Sequence, residues 1–106
     1  MKKIRNTPPG EILRQEFLLP MEVTAYRLAV DVCIPQTRIS GIIKGRRRIT
    51  ADTAIRFGCY FGNSPKFWLD LQNDYDLEAK MRKKGREFKA IKRCKFFQVP
   101  VSLSVI

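Results

Sequence analysis

The sequence contains no histidine. That removes the side chain whose ordinary pKa lies nearest neutrality, and with it the commonest general base and metal ligand. Acid is scarce as well: ten Asp and Glu face twenty-one Lys and Arg, for a formal charge of +11. The acids are scattered, and none stands with a second acid and a nucleophile at catalytic spacing. The chain is therefore read as a non-enzyme that needs neither a metal nor another cofactor. Asp70, Asp74 and Glu78 do recur every fourth residue, but that is the pattern of a solvated helix stripe.

Long apolar runs are missing too. Nothing approaches the ~20 consecutive apolar residues of a bilayer span. The basic start, Met1-Lys2-Lys3-Ile4-Arg5, leads into no apolar signal core. No membrane role and a cytoplasmic location are expected. Cysteine is sparse: Cys33, Cys59 and Cys94 are odd in number and share no C-x-x-C spacing. Cys33 and Cys59 fall on positions that read as buried helix, where a thiol serves as a small hydrophobe.

What is abundant is positive charge. A balance this far from zero favours a polyanionic partner, nucleic acid first and an anionic membrane surface second. At 106 residues there is room for one domain with a modest core. No internal repeat or low-complexity linker interrupts it.

Punctuation divides the first 85 residues into five helices. Pro8 and Pro9 open the first, Glu11 sits in its acid-favouring first turn, and Ile12, Leu13, Phe17 and Leu18 give the spacing before Pro20 ends it. Thr24 caps a short second helix with Leu28, Ala29 and Val32 inward. Ile34 makes the turn, and Pro35 starts a third helix that buries Ile39, Ile42 and Ile43, runs to Lys44 and stops at Gly45. Thr50 caps a fourth, with Ala54, Phe57, Gly58 and Phe61 inward and Gly62 closing it. Ser64-Pro65 opens a fifth, carrying Phe67, Trp68, Leu71 and Tyr75 and running to about Lys84. Trp68 reads as packing that seats this last helix. From Lys80 to Lys95 the composition turns strongly basic, with nine Lys and Arg against one Glu. The apolar end, Phe96–Ile106, is either a short strand that pairs with a partner or a frayed tail. The chain thus divides into residues 1–80, a DNA-binding domain, and residues 81–106, a basic extension available for a dimer or partner contact.

Function concentrates in residues 24–45. A capped helix, a tight turn and a second helix follow within about twenty residues, with Ala29, Ile34, Ile39 and Ile42 placed to pack them together. In a helix-turn-helix the first helix braces the second while leaving one face free for the major groove. That face here carries Gln36, Thr37, Arg38, Ser40, Gly41 and Lys44. Gln can pair with an adenine edge and Arg with a guanine edge, and Thr37 suits either a base or a phosphate. Gly41 removes bulk where the helix would lie closest to the bases. Arg46, Arg47 and Arg48 follow directly, where a docked domain meets the sugar-phosphate backbone.

Several runs carry a resemblance: Pro9-Gly10-Glu11-Ile12-Leu13-Arg14, Tyr26-Arg27-Leu28-Ala29, Pro35-Gln36-Thr37-Arg38-Ile39-Ser40, Gly45-Arg46-Arg47, Ile49-Thr50-Ala51-Asp52-Thr53-Ala54 and Ser64-Pro65-Lys66-Phe67-Trp68-Leu69-Asp70-Leu71-Gln72. Over about residues 8–80 they resemble the HigA-type antitoxins, within the phage-repressor-like (XRE/Cro-like) helix-turn-helix superfamily. The resemblance implies an all-α, five-helix domain that dimerises on palindromic operator DNA, represses its own operon and neutralises a HigB-like mRNA nuclease. A free-standing helix-turn-helix repressor is the alternative. By motif position it implies that Gln36, Thr37, Arg38 and Ser40 face bases, and that Thr24, Tyr26, Lys44, Arg46 and Arg47 hold phosphates. The basic stretch from Lys80 and the apolar end have no counterpart in that pattern.

Overall fold

Proline and threonine set the helix starts in the computed structural model, which describes residues 5–94. The readings made for Phe96–Ile106 lie outside the described residues. Five helices form, and no strand occurs among the described residues. The first, α1, spans residues 9–21 in three continuous stretches: α-helical Pro9–Ile12, π-helical Leu13–Leu18 and α-helical Leu19–Met21. The others are α2 (Ala25–Val32), α3 (Gln36–Ile43), α4 (Ala51–Phe61) and α5 (Pro65–Lys89).

Pro20 was expected to end α1, and it does not. The turn before it is wide, with the Leu19 N–H reaching back five residues to the Arg14 carbonyl. Proline has no N–H to contribute to such a ladder, and a π turn is a recurrent way of absorbing an irregularity inside a helix. The helix stops instead at Glu22, which takes a left-handed conformation (φ 56°) while the Val23 N–H returns to the Leu18 carbonyl at 2.9 Å. The caps are as expected for α2, where Thr24 Oγ1 accepts the Arg27 N–H at 3.0 Å, and for α5, where Ser64 Oγ accepts from Lys66 at 3.0 Å. Thr50 caps α4 more loosely, at 3.5 Å. Pro35 precedes α3 as its cap and is not its first turn, and Lys44 is the closing residue.

The core draws from every helix: Leu13, Leu18, Leu28, Ala29, Val32, Ile34, Ile39, Ile42, Ile49, Ala54, Phe57 and Trp68 are buried. Trp68 organises the end where α1, α4 and α5 meet. Its ring lies 4.8 Å from Phe17, 5.2 Å from Phe57 and 5.0 Å from Phe67, centroid to centroid, and its Nε1 donates to Asn63 Oδ1 at 2.9 Å. Tilted and edge-on pairs of this kind add to simple burial. Phe67 stays partly exposed on the rim, and Ile43, Phe61 and Leu71 are only half-buried.

Two other expectations fail. Cys33 and Cys59 are both exposed. Cys33 is the left-handed residue that ends α2 (φ 60°), so its side chain leaves the packed face. Cys59 lies two residues past Phe57, about 200° around α4 from the buried stripe. The fifth helix also runs further than expected, to Lys89, with a non-helical residue at Lys84 (φ −126°). No helix among the described residues is long and apolar enough to cross a membrane.

Among the glycines, the tightest approach is between α1 and α3. A Cβ at Gly10 would lie 1.9 Å from the Ile42 carbonyl oxygen and 2.8 Å from the Ile43 Cα. Backbone meets backbone there, so no rotamer change relieves the clash. Gly10→Ala should cost about 3 kcal/mol of stability, at the upper end of over-packing effects. The expected readout is a lowered urea midpoint at unchanged m-value.

Candidate nucleic-acid interface

Helix α3 is held from one side only. Ile39 and Ile42 are fully buried, while Gln36, Thr37 and Lys44 are exposed and Ser40 is half-exposed. At about 100° per residue, Gln36, Thr37, Ser40, Gly41 and Lys44 occupy a single arc of about 140°. That arc forms one wall of an open groove of about 450 Å³, whose other wall is Arg46 and Arg47. The polar face and the basic loop, separate in sequence, thus border one concave surface.

Three expected site residues stand apart from it. Arg38 falls about 60° beyond the edge of the arc, on the side of Ile42, and is half-buried. Thr24 lines a different, more apolar hollow with Leu18, Leu19, Val23 and Ile43. Tyr26 projects from the first turn of α2 and is 61% exposed.

The loop after α3 is shaped by two devices. The first is Gly41, whose carbonyl accepts from both Arg46 (2.7 Å) and Arg47 (3.1 Å) and so folds the chain back across α3. A Cβ on Gly41 would sit 2.6 Å from Arg47 Cγ. The space that glycine leaves is taken up by the protein's own arginine stem, which lies against the helix. The expectation that this glycine clears space for bases is revised accordingly.

The second device was not read from the sequence. Gln72 is buried on α5, where its Oε1 accepts the Ile49 N–H at 2.8 Å and its Nε2 donates to Asp76 Oδ1 at 3.0 Å. Asp76 in turn pairs with Arg48. A chain of polar contacts thus fastens the far end of the basic loop to α5, and Arg48 serves as an anchor of that loop. The signal for Gln72 was its position one turn after Trp68, a polar residue on an otherwise apolar stripe.

Charge at the groove is left unopposed. Six of the ten acids, Glu11, Asp31, Asp52, Asp70, Asp76 and Glu78, are engaged in ion pairs. Among the described residues none of these pairs involves Lys44, Arg46 or Arg47. Most exposed pairs of this kind are worth little in stability. Lys44, Arg46 and Arg47 thus line one groove together, where they focus a positive field. Carboxylate neighbours elsewhere hold their partners in place: the hydrogen bond to Asp31 raises the Tyr60 hydroxyl above its ordinary pKa, and that to Asp70 raises the Lys66 ammonium.

A helix braced at its back, an exposed polar arc and the cations Lys44, Arg46 and Arg47 make up this surface. The chain is 35% identical over 94 residues to antitoxin HigA-1 of Vibrio cholerae, covering 87% of this chain and 89% of that protein. This chain belongs to the HigA antitoxin family. Among solved structures it is similar to the antitoxin HigA of Pseudomonas aeruginosa, determined with the higBA promoter, at a TM-score of 0.81 and 35% identity over 86% of this chain and all of that one. It is also 47% identical over 70 residues to virulence-associated protein I of Dichelobacter nodosus, a match covering 66% of this chain and 65% of that relative. No protein-family model matches the chain. The five helices and the groove therefore sit in a HigA-type fold, and the matched length in the Vibrio relative exceeds the helix-turn-helix alone.

The polar chain behind the loop predicts a separable effect. Gln72→Leu would strand the buried Ile49 N–H and should cost about 1–3 kcal/mol in urea unfolding. Asp76→Asn, which keeps a partner for Gln72, should cost less while loosening Arg48. Equal losses in the two variants would contradict the assigned hierarchy.

Proposed function

We propose that this chain is a sequence-specific DNA-binding antitoxin that represses its own operon and neutralises a HigB-like mRNA nuclease. The observation that carries the DNA half is the groove shared by the exposed arc of α3 and the unpaired cations Lys44, Arg46 and Arg47. Its support from relatives is the Pseudomonas aeruginosa HigA structure, determined with a promoter. The toxin half rests on membership of the antitoxin family. On this reading the chain binds no cofactor and catalyses no reaction, and it works in the cytoplasm where its operator and its nuclease are found.

Within the proposal, Gln36, Thr37 and Ser40 read base edges from the centre of the arc, and Arg38 reaches bases from the flank of α3. Lys44, Arg46 and Arg47 hold phosphates on the other wall, with Thr24 and Tyr26 as outlying backbone contacts. Residues 1–80 supply the reading domain, and the basic extension of residues 81–106 is a partner or dimer contact. One such module buries too little surface for tight specific binding. Two copies related by a two-fold axis would place their α3 helices in successive major grooves about 34–36 Å apart.

In-vitro selection from a random duplex pool should recover a palindrome with half-sites one helical turn apart. Recovery of no motif would refute the reading. On the selected operator, Gln36→Ala should weaken binding by about 1–3 kcal/mol and relax preference at one position. Arg47→Ala should weaken binding to operator and scrambled duplex alike and flatten the salt dependence by about one unit of slope. If both variants lose the same affinity on scrambled DNA, the division into readers and anchors is wrong.

A further inference from the structure

Helix α5 outruns the core it helps to build. Its first turns pack Trp68 into the aromatic cluster, and its middle meets the basic loop, where Gln72 and Asp76 hold Ile49 and Arg48. A hollow of about 240 Å³ at that point is lined jointly by Arg46, Arg47, Tyr75 and Asp76, so this stretch of α5 adjoins the groove cations. The helix then continues from Leu77 to Lys89, about 20 Å further, and none of these residues is buried.

Helical spacing fixes which side of this extension follows on from the loop. With Gln72 as the origin and about 100° per residue, Asp76 lies at about 40°, Lys83 at about 20° and Lys80 at about 80°. The side of α5 that holds the basic loop thus continues, one and two turns on, as two lysines. Both are exposed, and no ion pair among the described residues involves either. Beyond the irregular residue Lys84 the charge persists: residues 80–89 hold six Lys and Arg against Glu87 alone. Leu77 and Met81, also exposed, lie on the opposite side, at about 140° and about 180°.

The extension therefore has a basic side in line with the loop and an apolar side turned from it. Lys80 has Lys83 and Lys84 as its i+3 and i+4 neighbours, a spacing at which like charges weaken a helix. A polyanion laid along that side relieves the repulsion.

We propose that the loop-facing side of the α5 extension, through Lys80 and Lys83, is a second phosphate-binding strip that grips duplex DNA beyond the α3 groove. The occupant is the sugar-phosphate backbone, favoured by charge complementarity and by the strip's alignment with the loop that carries Arg46 and Arg47. An ammonium group is a point charge on a flexible stem, so the strip adds affinity and salt dependence without base preference. The proposal takes its ligand from the DNA-binding reading above. The opposite, apolar side stays available for the partner or dimer contact.

The full chain is compared with its Lys80→Gln/Lys83→Gln and Lys80→Arg/Lys83→Arg variants on the selected operator. The glutamine variant should bind about tenfold more weakly at about 0.1 M salt and flatten the log–log salt dependence by about two units per bound chain. It should select the same motif as the parent. Its hydroxyl-radical footprint should lose protection at backbone positions outside the α3 half-site and keep it within. The arginine variant should restore both slope and footprint, and circular dichroism should be the same for all three proteins. Unchanged slope and footprint in the glutamine variant would overturn the strip and leave the operator reading standing. An altered motif, a changed oligomeric state in sedimentation, or a loss confined to single-stranded RNA or to anionic vesicles would overturn it as well. A parent that selects no motif, yet whose slope on scrambled duplex falls in the glutamine variant, would sink the operator reading and keep the strip.

Discussion

Everything useful in this molecule depends on fixing α3 from behind without covering its front. An eight-residue helix is too short to persist by itself in water, so its stability is tertiary. Ile39 and Ile42 bury completely on the core side, each contributing roughly 1.5–3 kcal/mol. The α1 backbone at Gly10 then comes down on the last turn of α3, close enough to exclude a methyl group. One face is held by contacts that tolerate no substitution, and the opposite arc is left to solvent and to whatever solvent is exchanged for.

The basic loop beside that arc is held with comparable economy but by polar means. Its start folds back onto the Gly41 carbonyl, and its end is fastened through Arg48, Asp76, Gln72 and the Ile49 N–H. A buried glutamine is tolerable only because both ends of its amide find partners. The arrangement spends one arginine as a structural anchor and leaves the charges next to it unneutralised. A run of three arginines is therefore not three equivalent cations; one faces α5 and two face the groove.

Much of this was legible from residue types. Thr24 and Ser64 announced their helices because a side-chain oxygen is needed where the first N–H groups lack partners. Gly45 and Gly62 marked stops because the chain turns left-handed there, at φ 80° and 76°. The buried stripe of α2 followed from spacing. Pro20 misled, because the rule that proline ends a helix assumes an i→i−4 ladder ahead of it, and here that ladder had already widened. The cysteines misled for a related reason: polarity scales place a thiol inside, whereas Cys33 and Cys59 follow the local geometry of a helix end and of a face turned away from the core.

The order of residues alone determined the helix count, the helix-turn-helix, the excess of positive charge and the polar composition of the third helix. All of these depend on local backbone chemistry or on summed charge. Only the tertiary structure decided that Arg47 lies across Gly41, that Arg48 answers to Asp76, that Arg38 stands off the common arc and that Gln72 reaches the Ile49 N–H. Those outcomes depend on which surfaces meet across tens of residues. Position along the chain does not record the rotation of one packed helix against another.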